Sequence, residues 1–444
     1  MARAIVCIDV GSGWVKALGI DADGEPIGCA QHPSTPHDLL EGVRGAAMAV
    51  GLDDPLTPRG TAESDTELFA CSSAGGGLRL AVVGQEVLSS TEAGYRVARS
   101  AGARVVHIEA GLLEPAGVRA LRASRPDVVL LVDGMDAAAE QTLLRNAARL
   151  ARSRVRAPIV LAAREPVRVD ALALLKSTGR SVLATDGVLR EDGTFVPEPA
   201  REAVAELLGS HLVGGRGSST TARFRRLARQ PTPDAVRRGL AELVRSRGAG
   251  SGAVLVVDVG SSTTEVYSGV PQAGDAEPEI SWPTTEADLG MRPTCAGILT
   301  DGQAEGLVDP VEADLLGPTV RRLAEETDYV PIDAGGRAED RRLAALAAVL
   351  AVRRHVQATG DGLARAGVGL VILTGGVFRQ PDESGLAALR STLRRDSGLS
   401  GLLENCPIAV DDGYALAPAG LLAMRGRVKE ARTVLDAAIA PHEA

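Results

Sequence analysis

Two stretches of this chain follow one plan: IVCIDVGSGWVKA, from Ile5 to Ala17, and AVLVVDVGSSTTEVYSG, from Ala253 to Gly269. In each, an apolar run rich in Val and Ile closes on an aspartate, Asp9 or Asp258, turns over a Gly-Ser sequence, and runs back as a second apolar strand. The pattern predicts a hairpin. Glycines in such a turn leave backbone N–H groups uncovered, so an anion can approach the main chain. A single copy is equally an ordinary surface hairpin, because short glycine motifs match by accident. Two copies, about 250 residues apart, constrain the fold far more than either alone.

A third element completes the set. GVGLVILTGGVFR, Gly367 to Arg379, reads as a buried strand running straight into Gly375 and Gly376, as when a backbone must lie flat against a base or sugar. Together the three imply a nucleotide site. The turn N–H groups of Gly11, Gly13 and Gly260, with the hydroxyls of Ser12, Ser261, Ser262, Thr263 and Thr264, suit phosphate oxygens. Carboxylates alone would repel phosphate, so Asp9 and Asp258 are expected to hold a hydrated magnesium ion between two lobes. Asp258 is also placed to orient an attacking water. Lys16 has two readings: it neutralises the terminal phosphate, or it is a solvated lysine on the second strand.

Length argues for more than one core, since 444 residues suggest two or three domains. The expected division is 1–66 as the first part of lobe I, 67–209 as an inserted α/β domain, 210–250 as a Gly/Arg-rich linker and helix, and 251–444 as the second lobe. The insertion rests on six short apolar runs alternating with helical stretches: ELFACSS, LRLAVVG, RVVHIEA, DVVLLVDG, PIVLAAR and SVLATDG. In the linker, PTPDAVRRGLAELV carries a helix start, and its arginines are expected to form a solvated face.

Composition excludes several classes. A net charge of -9 argues against nucleic acid and anionic membranes as partners, and 2% aromatic residues leave little for base stacking. The five cysteines include no C-x-x-C pair, so a reducing cytoplasm is expected rather than a disulfide framework or a zinc site. The start carries no secretory pattern, and the longest apolar run, Leu343 to Val352, is far short of a membrane span.

In this order, IDVGSGWVKA, CSSAGGGLRLAVVG, DVVLLVDGMD, VVDVGSSTTEVYS, EADLGMR and LTGGVFR, and finally DDGYALAPAGLLA at Asp411 to Ala423, resemble the glutamate mutase L family over nearly the whole chain. The resemblance implies an α/β, actin-like (ASKHA, ribonuclease H-like) two-lobe ATPase fold related to the hydantoinase/oxoprolinase branch. It implies ATP and Mg2+ as cofactors, the subunits of an adenosylcobalamin-dependent mutase as partners, and a reactivating, chaperone-like role. In EADLGMR it places Asp288 or Arg292 at the cleft, whereas the residues alone also suit a capped helix start. Two departures stand out: Gly13 where relatives commonly have threonine, and Glu265 where they have aspartate. Each bears on hydrolysis, which is sensitive to displacements of about an ångström.

Two rivals follow from the same residues: an ATP-dependent amidohydrolase or small-molecule kinase, and a nucleotide-binding scaffold without hydrolysis. Cobalamin itself is not expected on this chain by the mutase-type Asp-x-His-x-x-Gly route, since His211 and Gly214 have Gly209 at the aspartate position. CSSAGGGLR, Cys71 to Arg79, is read either as a contact for a cofactor or partner or as a strained turn.

Overall fold

The computed structural model describes residues 3–35, 39–52, 56, 66–73, 78–86, 89–100, 103–190, 193, 195–214, 227–228, 230–274, 276–281, 283–359, 361–379 and 383–439. The chain forms two compact units, Met1–Gly76 with Leu212–Ala444, and Gly77–His211. The loop from 53 to 65 (save Leu56), the middle of CSSAGGGLR and the Gly/Arg-rich run 215–226 lie outside the described residues.

In the first unit, β1 (Ile5–Val10), β2 (Trp14–Ile20) and β3 (Pro26–Pro33) form an antiparallel meander, and β4 (Glu67–Ser72) joins β1 in parallel. Every residue of β1 is buried, as expected for a central strand covered on both faces. The sequence reading begins the inserted domain at residue 67. Instead, the register Ile5↔Glu67 to Val10↔Ser72 makes β4 part of the first sheet. A short apolar strand looks the same in either sheet, and its partner is what decides.

The second unit carries β5 (Leu78–Gly84), β6 (Ala103–Ala110), β7 (Val128–Val132), β8 (Ile159–Ala162) and β9 (Val182–Thr185). All five run parallel in the order β6-β5-β7-β8-β9. Helices such as Ala137–Arg152, whose Leu143, Ala147 and Leu150 are buried, pack on the sheet. The buried polar pair Gln85 and Asn146 is satisfied internally, with Asn146 Nδ2 donating to Gln85 Oε1 at 2.9 Å.

The chain then returns to the first unit. The two-residue β10 (Gln230–Pro231) pairs in parallel with β4, completing the order β3-β2-β1-β4-β10. The second sheet comprises β11 (Ala253–Val259), β12 (Thr264–Val270), β13 (Glu279–Ile280), β14 (Thr284–Glu286), β15 (Val368–Thr374) and β16 (Ile408–Val410). Its path is β13-β12-β11-β15-β16, with β14 also paired to β12. Both sheets therefore have the order 3-2-1-4-5, the first three strands antiparallel and the rest parallel. That repeated topology is the two-lobe, actin-like α/β fold.

One core joins the two sheets. The helices Thr232–Arg247 and Leu416–Ala423 pack with Ile5, Cys7 and Phe69 of the first sheet and with Val254, Val256 and Ile372 of the second. At roughly 1.5–3 kcal/mol for each fully buried aliphatic side chain, this interface is a large stabilising contribution. The two helices touch backbone to backbone: a Cβ on Gly239 would sit 2.0 Å from the Leu416 carbonyl oxygen, and one on Gly420 1.8 Å from that of Ala235. The helix expected to present a solvated arginine face thus buries Ala235, Val236, Leu240, Leu243 and Val244 on its other side. The apolar run Leu343 to Val352 lies within the long helix Ala334–Thr359 and is buried throughout. Among the described residues, no helix is long and apolar enough to cross a membrane.

Candidate nucleotide cleft

The equivalent turns of β1–β2 and β11–β12 meet at one cleft of the first unit. Each closes in the same way: the N–H of Gly11 donates to Trp14 O, and that of Gly260 to Thr263 O, both at 2.9 Å. A Cβ at Gly11 would lie 2.7 Å from the Trp14 oxygen, so the tight turn needs glycine there. The turns touch each other through their side chains, with the hydroxyls of Ser12 and Ser262 at 2.9 Å. Gly13 packs on Ser261, where a Cβ would meet Oγ at 2.9 Å. A threonine at this position, as the family resemblance leads one to expect, would require the Ser261 side chain to shift.

Equivalent positions carry an amine in one hairpin and a carboxyl in the other. In β1–β2 the cross-strand partner of Asp9 is Lys16; in β11–β12 the partner of Asp258 is Glu265. Lys16 Nζ lies 3.8 Å from Asp9 Oδ2 and 4.9 Å from the centroid of the Tyr414 ring. Burial works to lower the Lys16 pKa, but Asp258, Asp9, Tyr414 and Asp411 together hold it above the ordinary lysine value. The lysine is therefore charged and enclosed, which answers the choice between an inward and a solvated Lys16.

Burial raises the pKa of Asp258; Lys16 opposes the shift and Asp9 adds to it. Burial pushes Glu265 up to about 7, against the hydrogen bond that it accepts from the Tyr267 hydroxyl. Asp411 is pushed up to about 6 by burial, opposed by the backbone N–H groups of Ala415 and Leu416. Burial thus disfavours ionisation of three carboxyls, each of which interacts with the Lys16 charge.

The remaining walls come from distant segments. Gly375, at φ +130°, passes so close to β11 that a Cβ would meet Val259 O at 2.3 Å. Beyond it, Arg379 stacks on the Tyr414 ring at 4.0 Å, and the Tyr414 hydroxyl donates to Gln31 Oε1 at 2.7 Å. Tyr414 itself adopts φ +55°, a conformation that costs a non-glycine residue about 1 kcal/mol or more. On the other side, the EADLGMR loop braces the second turn, with Met291 N–H donating to Gly260 O and Arg292 N–H to Ser261 O. Arg292 forms a buried ion pair with Asp340 at 3.0 Å.

The cleft encloses about 390 Å3. Of the residues singled out in the sequence, Asp9, Gly11, Ser12, Gly13, Lys16, Asp258, Gly260, Ser261, Ser262, Thr263, Gly375 and Gly376 line it. Thr264 and Asp288 do not. Alternation along β12 turns Thr264 into the protein, where its hydroxyl donates to Leu289 O at 2.6 Å, and turns Glu265 to the cleft. Asp288 is half-buried, its backbone packed on Gly297, while Arg292 from the same motif reaches the lining. Thr232, Gln31, Asp340, Arg379 and Tyr414 also line the cleft and went unnoticed in the sequence. They sit on separate strands, helices and connections, Gln31 in β3, Asp340 in the helix Ala334–Thr359 and Thr232 at the start of Thr232–Arg247, which only the tertiary fold brings together.

Whether a divalent cation fits can be judged from the donors. Among the described residues, no group of three or more His, Cys, Asp or Glu side chains is arranged to hold a metal, so a fully protein-coordinated cation is not built here. Asp258 Oδ1, however, is buried without a hydrogen-bond partner, an arrangement that costs about 1–3 kcal/mol or more if left unmet. Magnesium typically takes one or two carboxylates and completes its shell with water and phosphate oxygens. Asp9 and Asp258 fit that mode.

The family model described as MutL protein matches residues 5–439. Protein MutL of Clostridium tetanomorphum is 28% identical over 451 residues, covering 95% of this chain and 96% of that protein. Among solved structures, the ligand-bound xylulose kinase of Lactobacillus acidophilus is similar at 12% identity and a TM-score of 0.37, over 99% of this chain and 93% of the kinase. The ethanolamine utilization protein EutJ of Carboxydothermus hydrogenoformans matches at 13% identity and a TM-score of 0.32, over 94% and 88%. The fold assignment rests on the repeated strand order rather than on these distant likenesses.

Proposed function

Because the chain belongs to the MutL protein family, we propose that it is an ATP- and magnesium-binding accessory protein that reactivates an adenosylcobalamin-dependent mutase of the glutamate/methylaspartate type. The observation that carries the nucleotide part is the unpartnered Asp258 Oδ1 in a cleft shared by two equivalent Asp-Gly-Ser turns. Asp9 and Asp258 hold the cation; bound there, it screens phosphate charge from the carboxylates. Ser12, Ser261, Ser262 and Thr263 donate to phosphate oxygens, and Lys16 faces the terminal phosphate. Gly375 and Gly376 leave a flat wall for the nucleoside.

Nucleotide that binds a closed cleft better than an open one draws the two sheets together, and that difference in affinity is the work available for opening a partner. The free cysteines, four of them buried, suit a cytoplasmic setting. The mutase role is tested by adding the purified protein to a mutase whose adenosylcobalamin has been damaged. Recovery of mutase activity that needs this protein, ATP and fresh cofactor together is expected. Recovery without ATP, or none at all, contradicts the reading.

A second reading, nucleotide binding without hydrolysis, is favoured by one feature. Glu265 is tied to the Tyr267 hydroxyl and is held largely protonated below about pH 7, a poor state for activating water. It is distinguished by phosphate release, which this reading expects to be absent even with the partner present.

A further inference from the structure

Asp9 is gripped from one side. Its Oδ1 accepts a 2.6 Å hydrogen bond from the Thr232 hydroxyl and a weaker one, 3.5 Å, from the Cys71 thiol. Its Oδ2 receives neither and faces Lys16. The sheet explains the grip: β1, β4 and β10 are adjacent, Cys71 is the register partner of both Asp9 and Gln230, and the chain leaves β10 directly into Thr232. Thr232 thus stands at the carboxyl edge one strand beyond Cys71, where its side chain reaches across to Asp9. It is 6% exposed. Thr232 is the first residue of Thr232–Arg247, and its hydroxyl goes to Asp9. At 2.6 Å the bond has the length of a charge-assisted contact to a carboxylate.

We propose that Thr232 is a positioning residue: with Cys71, it engages one oxygen of Asp9 so that the other stays turned to the cleft as the metal-binding atom. This rests on the reading of Asp9 as a magnesium ligand. Groups that orient a ligating side chain typically change metal affinity 10- to 100-fold when removed. A threonine that merely starts a helix would have no such effect.

The test uses the full-length protein, Thr232→Val and Thr232→Ser, with Mn2+ in the presence of ATP followed by electron paramagnetic resonance. Affinity for ATP in EDTA is measured in parallel. The expected result is a loss of about tenfold in Mn2+ affinity for Thr232→Val, restoration within about twofold by Thr232→Ser, and ATP affinity in EDTA unchanged in both. Unaltered Mn2+ affinity in Thr232→Val overturns the positioning role and leaves the metal reading standing. Equal losses with and without metal also overturn it, by assigning Thr232 to the shape of the cleft. Failure of the wild type to bind Mn2+ with ATP overturns the metal reading and this inference with it.

Discussion

Glu265 shows how much a single register position decides. It occupies in the second hairpin the place that Lys16 holds in the first, and burial raises its pKa from 4.5 to about 7. The folded protein therefore keeps a proton that the unfolded chain releases between about pH 4.5 and 7, so stability falls as pH rises through that window. Asp411, raised from 3.8 to about 6, acts in the same direction at lower pH. In metal-free buffer, Glu265→Gln is expected to remove the upper part of this fall, read as urea midpoints at pH 5 and pH 7.5. An unchanged difference between the two midpoints would show that Glu265 ionises freely. The aspartates were legible in the sequence because each ends an apolar run before a glycine turn. Tyr414 was not, because its role depends on a left-handed backbone and on Arg379, 35 positions earlier in the chain.

At the scale of elements, the repeated hairpins and the β15 strand leading to Gly375 could be read directly, since each is a local pattern of apolar residues and glycines. The start of the inserted unit could not, because only pairing with β1 places β4 in the first sheet. What the sequence did not show of the helix Thr232–Arg247 is where it packs. Its arginines are conspicuous in the sequence, while the residues that fix its place are the small ones, Ala235 and Gly239, which let it lie against Leu416–Ala423. Gly420→Ala forces that contact apart, because the new Cβ would overlap a backbone oxygen. A loss of about 1–3 kcal/mol is expected in urea denaturation, with weakened ATP binding as the sheets separate. Wild-type stability in this variant would mean that the two helices do not set the spacing between the sheets.

For the whole molecule, duplication of one sheet topology gives a cleft whose two sides are chemically unequal. The first side offers Asp9 with a lysine partner, the second Asp258 with a glutamate partner, so cation and phosphate would meet an ordered rather than a symmetric field. Family membership extends over 5–439, and the proposed mutase partner rests on that membership rather than on the cleft. The central claim is that the cleft binds magnesium-ATP through Asp258. Isothermal titration of the purified protein with ATP and Mg2+, wild type against Asp258→Ala, tests it most directly. The expected outcome is binding by the wild type that weakens at least about tenfold in the variant, about 1.4 kcal/mol. No binding by the wild type, or equal binding by both, would contradict it.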